Sequence, residues 1–260
     1  MEFHQVVMSR RMVRDFDPAP LPAATLERAL RHALRAPSAG FTQGWDALLL
    51  TESADREAFW RAATPDPEAE PDRWLRGVRR APALVVLCSH PGAYVARYAR
   101  PDKQRTGLGD GEQAWPVPYW DVDSGMAALL LLLSAVDEGI GGLFFGVPGE
   151  GHDAVREAFG VPADRRLVGV VALGRPALPS ETSGAAGTAG AAGAAGASAQ
   201  SEAAEAVEAS GVSAQSGAAE AVEAVGDSGR ARRSHRPRRR SLDEVVHAGR
   251  FGTAWRPDSV

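Results

Sequence analysis

Apolar positions change their spacing several times along the chain, and each change marks an element. Leu26, Ala29, Leu30, Ala33 and Leu34 recur at three and four residues, which predicts one helix over about 21–34 with a single apolar face. Pro18, Pro20 and Pro22 forbid helix before it and suit a start near Pro22. Arg28, Arg31 and Arg35 then fall on its solvated side. Residues 47–51, 83–88 and 167–173 are short, continuous apolar runs, the pattern of strands buried on both faces. Helices are predicted over 53–63 and 153–159, and a short one opens at Trp74 and Leu75 after a proline- and acid-rich loop at 64–72 and ends at Pro82. Residues 125–136 are apolar all round, which predicts a helix buried on every side, capped by Asp121, Asp123 or Ser124.

Between 90 and 119 the periodicity disappears while Tyr94, Tyr98, Trp115 and Tyr119 gather near Lys103, the chain's only lysine. Loops this long are often lids or pocket walls, so a gate over a bound ligand is one reading. A partly helical excursion that only packs is the other.

Residues 179–229 are built from Ala, Gly, Ser and Glu, with no aromatic residue and a near-duplicate pair at 198–209 and 213–224. So little bulky apolar surface cannot offset an ordering cost of about 1 to 2 kcal/mol per residue, so a disordered linker is expected. It carries seven acids and no bases, and the run 230–240 answers with seven arginines. The division expected is a domain over 1–178, the linker over 179–229, and a basic run with a closing segment over 230–260.

A net charge of −4 gives no global argument for nucleic acid or an anionic membrane. The longest apolar stretch, 125–136, is short of a span of about 20 residues, and no signal peptide is visible, so a soluble, cytoplasmic protein without a membrane partner is expected. Cys88, the single cysteine, lies in an apolar run and reads as a small core residue. The six histidines form no metal spacing, no Gly-x-Ser-x-Gly elbow occurs, and no Rossmann Gly-x-Gly-x-x-Gly follows a strand.

Chemistry concentrates in 9–45. Arg10, Arg11 and Arg14 fall within five residues, and about a helix later comes the turn Ala36-Pro37-Ser38-Ala39-Gly40-Phe41-Thr42-Gln43-Gly44-Trp45. Forked guanidinium donors suit phosphate oxygens, and a tight turn offers backbone N–H groups and an amide to a heteroaromatic edge. Glycines at 139, 141 and 142, followed by Leu143, Phe144 and Phe145, would allow backbone to approach a flat ligand; a glycine cap running into a buried strand explains them equally well.

These motifs, in this order, resemble the FMN-dependent nitroreductase family, in which Arg-Arg-x-x-Arg-x-Phe precedes Ala-Pro-Ser-x-x-Asn-x-Gln-Pro-Trp. Phe41 stands where the family has Asn and Gly44 where it has Pro. The resemblance covers about 1–178 and 238–255. It implies an α+β fold: a nitroreductase-like three-layer α/β/α sandwich with a central mixed sheet, the long buried helix at a homodimer interface, and a C-terminal tail exchanged onto the partner. It implies FMN, with Arg10, Arg11, Arg14, Arg238 and Arg240 at the phosphate and ribityl chain. Pro37, Ser38, Ala39 and Gln43 would meet the ribityl and pyrimidine side, and Gly141, Gly142, Leu143 and Phe144 the ring. The implied activity is ping-pong hydride transfer from NAD(P)H to a nitroaromatic, quinone or similar small acceptor, with no catalytic acid or base and no metal. The Gly-Phe-x-Gln version of the turn also resembles the flavin-fragmenting dimethylbenzimidazole synthases, and a non-catalytic flavin- or deazaflavin-binding protein is the third reading.

Overall fold

The computed structural model describes residues 1–64, 66, 69–178 and 238–257. The linker, its duplicated pair and Arg230, Arg232, Arg233 and Arg236 lie outside the described residues.

Five strands form one mixed sheet, β1 (Trp45–Leu50), β2 (Ala83–Ser89), β3 (Gly141–Phe145), β4 (Arg166–Gly174) and β5 (Val246–Ala248), in the order β3-β4-β2-β1-β5. β1, β2, β4 and β3 pair antiparallel, and β5 adds parallel to the outer side of β1. Every residue of β1 and β2 is buried, which is why their sequences run apolar without alternation. Their side chains nevertheless divide by parity. Ala83, Val85 and Leu87 join the core formed by α2 (Ala23–Ala33) and α6 (Tyr119–Asp137). Leu84, Val86 and Cys88 face the other way, toward α3 (Ser53–Ala63), α4 (Arg73–Arg79) and α7 (His152–Phe159). Helices thus cover both faces of the sheet, the three-layer sandwich expected.

Three elements depart from the sequence reading. A first helix, α1 (Phe3–Ser9), precedes the arginines and packs near the end of α6, where the Met1 amino group meets Asp137 at 2.5 Å. The stretch 90–119 opens with α5 (Pro91–Tyr98), after which three short 3-10 turns lead to α6. α6 itself begins at Tyr119, six residues earlier than the apolar run suggests, because its first turns carry the polar groups that anchor it. At 19 residues it is long and apolar enough to cross a bilayer, but half of it is buried within the fold, as a core helix is.

α6 was expected to be buried on every side. Instead it presents Tyr119, Val122, Met126 and Leu129 to solvent, with Leu129 49% exposed. Sheet and α2 cover only part of its circumference, and the spacing of three, four and three makes the rest one apolar stripe.

The segment from Arg238 returns to the fold through Ser241. Its side chain and that of Glu244 form a reciprocal cap on α8 (Leu242–Val245), which runs into β5. Trp255 is buried behind it and Leu242, Val245 and Val246 enter the core. In the single chain this tail lies on the chain's own β1, where exchange onto a partner was expected. The 59 residues between Leu178 and Arg238 are ample to reach across one sheet, at about 3.3 Å per extended residue.

Candidate functional site

The residues singled out by sequence fall at two diagonally opposite corners of the sheet. Met12 and Val13 run beside β3, with the Val13 N–H donating to the Gly142 carbonyl at 3.0 Å and Met12 bridged to Gly142. That places Arg10, Arg11 and Arg14 on the β3 edge, at the end of the sheet where β1 finishes. The turn 37–44 leads into the start of β1, at the other end and near the other edge. Four strand spacings of about 4.8 Å separate the two sides, roughly 19 Å before any offset along the strands.

At the first corner, Arg10 has its Nη1 atom buried with no partner among the described residues. Arg11 is exposed, and Arg14, also exposed, donates to the Met12 carbonyl at 3.3 Å. A buried guanidinium nitrogen without an acceptor is costly unless something anionic reaches it. Gly141 and Gly142 have work of their own here. A Cβ on Gly141 would stand 2.5 Å from Val13 Cγ2, and one on Gly142 would stand 2.8 Å from Leu132 Cδ2, so their bare Cα positions let the 12–13 segment and α6 close onto β3. Leu143 is buried in the opposite core, and Phe144 packs over Gly169.

The second corner is a strained turn gripped from all sides. Gly40, Phe41 and Gln43 all have positive φ, at 60°, 55° and 54°, the left-handed region that non-glycine residues avoid. The Gln43 N–H donates to Ser38 Oγ at 2.9 Å and the Thr42 hydroxyl to the Ala39 carbonyl at 2.6 Å. Asp123 Oδ2 accepts from the Ala39 N–H at 2.9 Å and from the Tyr94 hydroxyl at 2.6 Å. Arg97 Nε donates to the Gly40 carbonyl at 2.9 Å while its two Nη atoms hold Asp102. Pro37 is exposed; Ser38 and Ala39 are half-buried.

Both departures from the family motif have a local cause. A Cβ at Gly44 would stand 2.4 Å from the Tyr94 ring, and the Gly44 N–H serves the Tyr94 oxygen, a donor that proline lacks. Phe41 lies under the Arg239 guanidinium, 5.1 Å from ring centroid to Cζ. The aromatic stretch therefore packs beneath the turn: Tyr94, Trp115 and Trp120 form a buried cluster of edge-to-face contacts, with Tyr98 against Trp115. The stretch 90–119 is thus partly helical and packed against the turn.

The returning segment closes this corner. Gln43 uses its amide on backbone, donating from Nε2 to the Arg238 carbonyl at 3.1 Å and accepting on Oε1 from the Arg240 N–H at 2.8 Å. Arg240 donates to the Gln43 and Trp45 carbonyls at 3.0 and 2.9 Å, to Asp46 Oδ1 at 2.7 Å, and to the Glu244 carbonyl. Asp46 is buried and also receives Arg165 at 2.7 Å. Arg238 is exposed and paired with Glu244, whose carboxyl is held down at about 2 by Arg238 and by the Ser241 N–H and hydroxyl. Arg239 donates to the Leu34 and Ala36 carbonyls and so finishes α2. Cys88 is sealed in the core, and burial pushes its thiol up to about 12, so it stays protonated. No group of His, Cys, Asp and Glu able to hold a metal occurs among the described residues.

α6 connects the corners. Asp121 accepts from Ser89 at 2.7 Å and Asp123 holds the turn at its start; at its end Glu138 takes Arg28 through both carboxylate oxygens and β3 follows directly.

The family model described as the nitroreductase family matches residues 7–175. The NADH dehydrogenase of Thermus thermophilus is 30% identical over 190 residues, spanning 65% of this chain and 84% of its own. Among solved structures, a nitroreductase family protein from Clostridium novyi superposes with a TM-score of 0.59 at 16% identity over the whole of both chains. An FMN-dependent nitroreductase from Clostridium difficile superposes with a TM-score of 0.50 at 17% identity, covering 68% of this chain and 89% of the other.

Proposed function

Because this chain belongs to the nitroreductase family, we propose that it is an FMN-dependent oxidoreductase that passes hydride from NAD(P)H to a nitroaromatic, quinone or similar small acceptor in alternating half-reactions. The observation that carries the flavin reading is Arg10, whose buried Nη1 lacks an acceptor among the described residues. A phosphate supplies what that atom needs. Arg11 and Arg14 add positive charge beside it, and we assign the turn at Pro37, Ser38, Ala39 and Gln43 to the ribityl and pyrimidine side, where the Ser38 hydroxyl, an acceptor for the Gln43 N–H, still has its own hydrogen to donate.

These two groups of residues are too far apart in one chain to share a ligand, so the reading requires a second copy. α6 runs from the turn's corner to the arginines' corner, and its exposed stripe is apolar. Two copies packed antiparallel along that stripe place the start of one α6 beside the end of the other, which brings the turn of one copy to the arginines of the next. Phe3, Val7 and Met8 of α1, exposed near the end of α6, extend the same apolar surface. The homodimer is thus a condition of the site.

Bound FMN supplies the redox chemistry, accepting and returning hydride through its ring. The chain's contribution is to bind its phosphate, to orient it between copies and to leave a face open to two successive small molecules. No side chain is assigned as acid or base, and solvent supplies the proton. The flavin-fragmenting alternative, prompted by Phe41 in the Gly-Phe-x-Gln turn, is an outcome of the test that follows.

The test is anaerobic. Protein loaded with FMN is expected to bleach on addition of NAD(P)H and to recolour when a nitroaromatic or quinone is added. A yellow protein that no nicotinamide reduces would be a flavin carrier, and loss of flavin during turnover would indicate fragmentation.

A further inference from the structure

The turn at 38–43 holds a conformation its own sequence disfavours, since Phe41 and Gln43 carry side chains yet sit at φ of 55° and 54°. Left-handed residues persist where the surroundings over-determine them. One of the groups gripping this turn is an acid buried in α6, where an unpartnered carboxylate would be costly.

Resting on the flavin reading above, we propose that Asp123 is the positioning residue of the flavin-facing turn: one carboxylate oxygen fixes the Ala39 N–H and the Tyr94 hydroxyl together, locking turn, α5 and α6 into one body.

The geometry is specific. Oδ2 alone accepts both hydrogen bonds, at 2.9 and 2.6 Å, from donors 84 and 29 residues away in sequence. Asp123 is 2% exposed and Tyr94 fully buried. Tyr94 in turn fills the space beside Gly44 and lies against Trp115 and Trp120, so the grip on Ala39 is backed by an aromatic block that cannot shift alone. The same α6 carries the stripe through which the second copy is proposed to pack, so the turn would be referenced to the element that delivers it to the partner's arginines. Burial is the main influence raising the Asp123 carboxyl above its ordinary range, while its two donors work in the opposite direction. The carboxylate's charge is therefore a cost at neutral pH, and its value lies in the acceptor oxygen. An asparagine can put its amide oxygen in the same place and accept the same two bonds.

The experiment measures FMN binding to apoprotein by flavin fluorescence, and hydrogen exchange at the Ala39 amide without flavin, for wild type, Asp123→Ala, Asp123→Asn and Tyr94→Phe. Asp123→Ala is expected to bind FMN about tenfold more weakly or worse and to lose Ala39 protection. Asp123→Asn is expected to stay near wild type in both, and Tyr94→Phe, which keeps the ring but loses the hydroxyl, to fall between. Asp123→Ala with wild-type affinity and protection, or Asp123→Asn as impaired as Asp123→Ala, would overturn the proposal. Should Asp123→Ala not fold, the Asn and Phe variants decide it: a weakened Asn variant, or a Phe variant with unchanged Ala39 protection, contradicts it. Wild-type protein that binds no FMN would refute the flavin reading instead, while exchange at Ala39 still judges the grip.

Discussion

The Arg240 guanidinium donates to the Asp46 carboxylate at 2.7 Å, joining residues 194 positions apart and fastening the returning tail to the start of β1. Asp46 is buried between Arg240 and Arg165, so loss of Arg240 leaves it paired with Arg165 alone. Arg240→Ala should lower stability by about 1.5 to 3 kcal/mol, the range for hydrogen bonds to a charged group. FMN retention should fall with it, because the backbone at 238–240 that holds the Gln43 amide is then no longer fastened to the start of β1. Arg240→Lys should rescue little, since a point charge cannot serve four acceptors spread around a planar fork. Denaturant midpoints and flavin content measure both, and an unaltered midpoint would remove the clasp.

Acid should loosen the same tail. His247 in β5 stacks on Phe251 at 4.1 Å, and both its ring nitrogens are buried without partners among the described residues. Burial is the main cause lowering its pKa, Asp46 opposes, and Arg240 and Arg165 add to the lowering. His90, beside Asp164 at 3.3 Å, is lowered too, first by burial and then by Arg165. The unfolded chain takes up these protons from about pH 6.5 downward while the folded chain does not. Stability is therefore complete above that pH and lost as pH falls toward the folded values, by at most about 1.4 kcal/mol per unit for each histidine. His247→Leu should flatten this acid limb. Melting temperature against pH checks it, and an identical slope in the variant would contradict it.

The α6 stripe can be tested without touching the core. Leu129 is 49% exposed in one copy, so Leu129→Glu should leave the isolated fold intact. It should nonetheless place two carboxylates in the proposed apolar seam, turning the dimer into monomer by light scattering and weakening FMN at least tenfold. A dimer that survives with full flavin would move the interface elsewhere.

Much of the scaffold was legible because strands buried on both faces announce themselves. β1, β2 and β4 appear as unbroken apolar runs, and α2 shows its single face in Leu26, Ala29, Leu30 and Ala33. α5 was not legible: eight residues led by a proline and dense in aromatics show no clear period, and its stability comes from Trp115 and Trp120, well beyond it in sequence. The site was legible as a list and not as a place. Arg10 and the turn were found by their residue types, but nothing local says that they stand at opposite corners. Asp123 was visible only as a possible cap, because its partners Ala39 and Tyr94 are brought to it by the fold. The link from Gln43 to Arg238 and Arg240 was not legible, since it spans about 200 positions that sequence spacing cannot bridge.

The long insertion gives a simple test of what the fold needs. Replacing 179–229 by a short Gly/Ser bridge leaves eight further residues before Arg238, together enough to cross the sheet at about 3.3 Å per residue. Flavin content and dimerisation are expected to be unchanged. Lost flavin would show that the excised residues belong to the site.

Each flavin site is proposed to draw its arginines from one copy and its turn from another, and complementation tests this most directly. Arg10→Ala removes the first half, and Gly40→Val, at φ 60° with Tyr98 2.8 Å from the added Cβ, should break the second. Each variant alone should bind little FMN. Co-expressed and purified as a mixed dimer, they should recover one binding site in two, since the Gly40→Val copy brings an intact Arg10 to the intact turn of the Arg10→Ala copy. A mixed dimer that binds no more FMN than its parents would contradict the account.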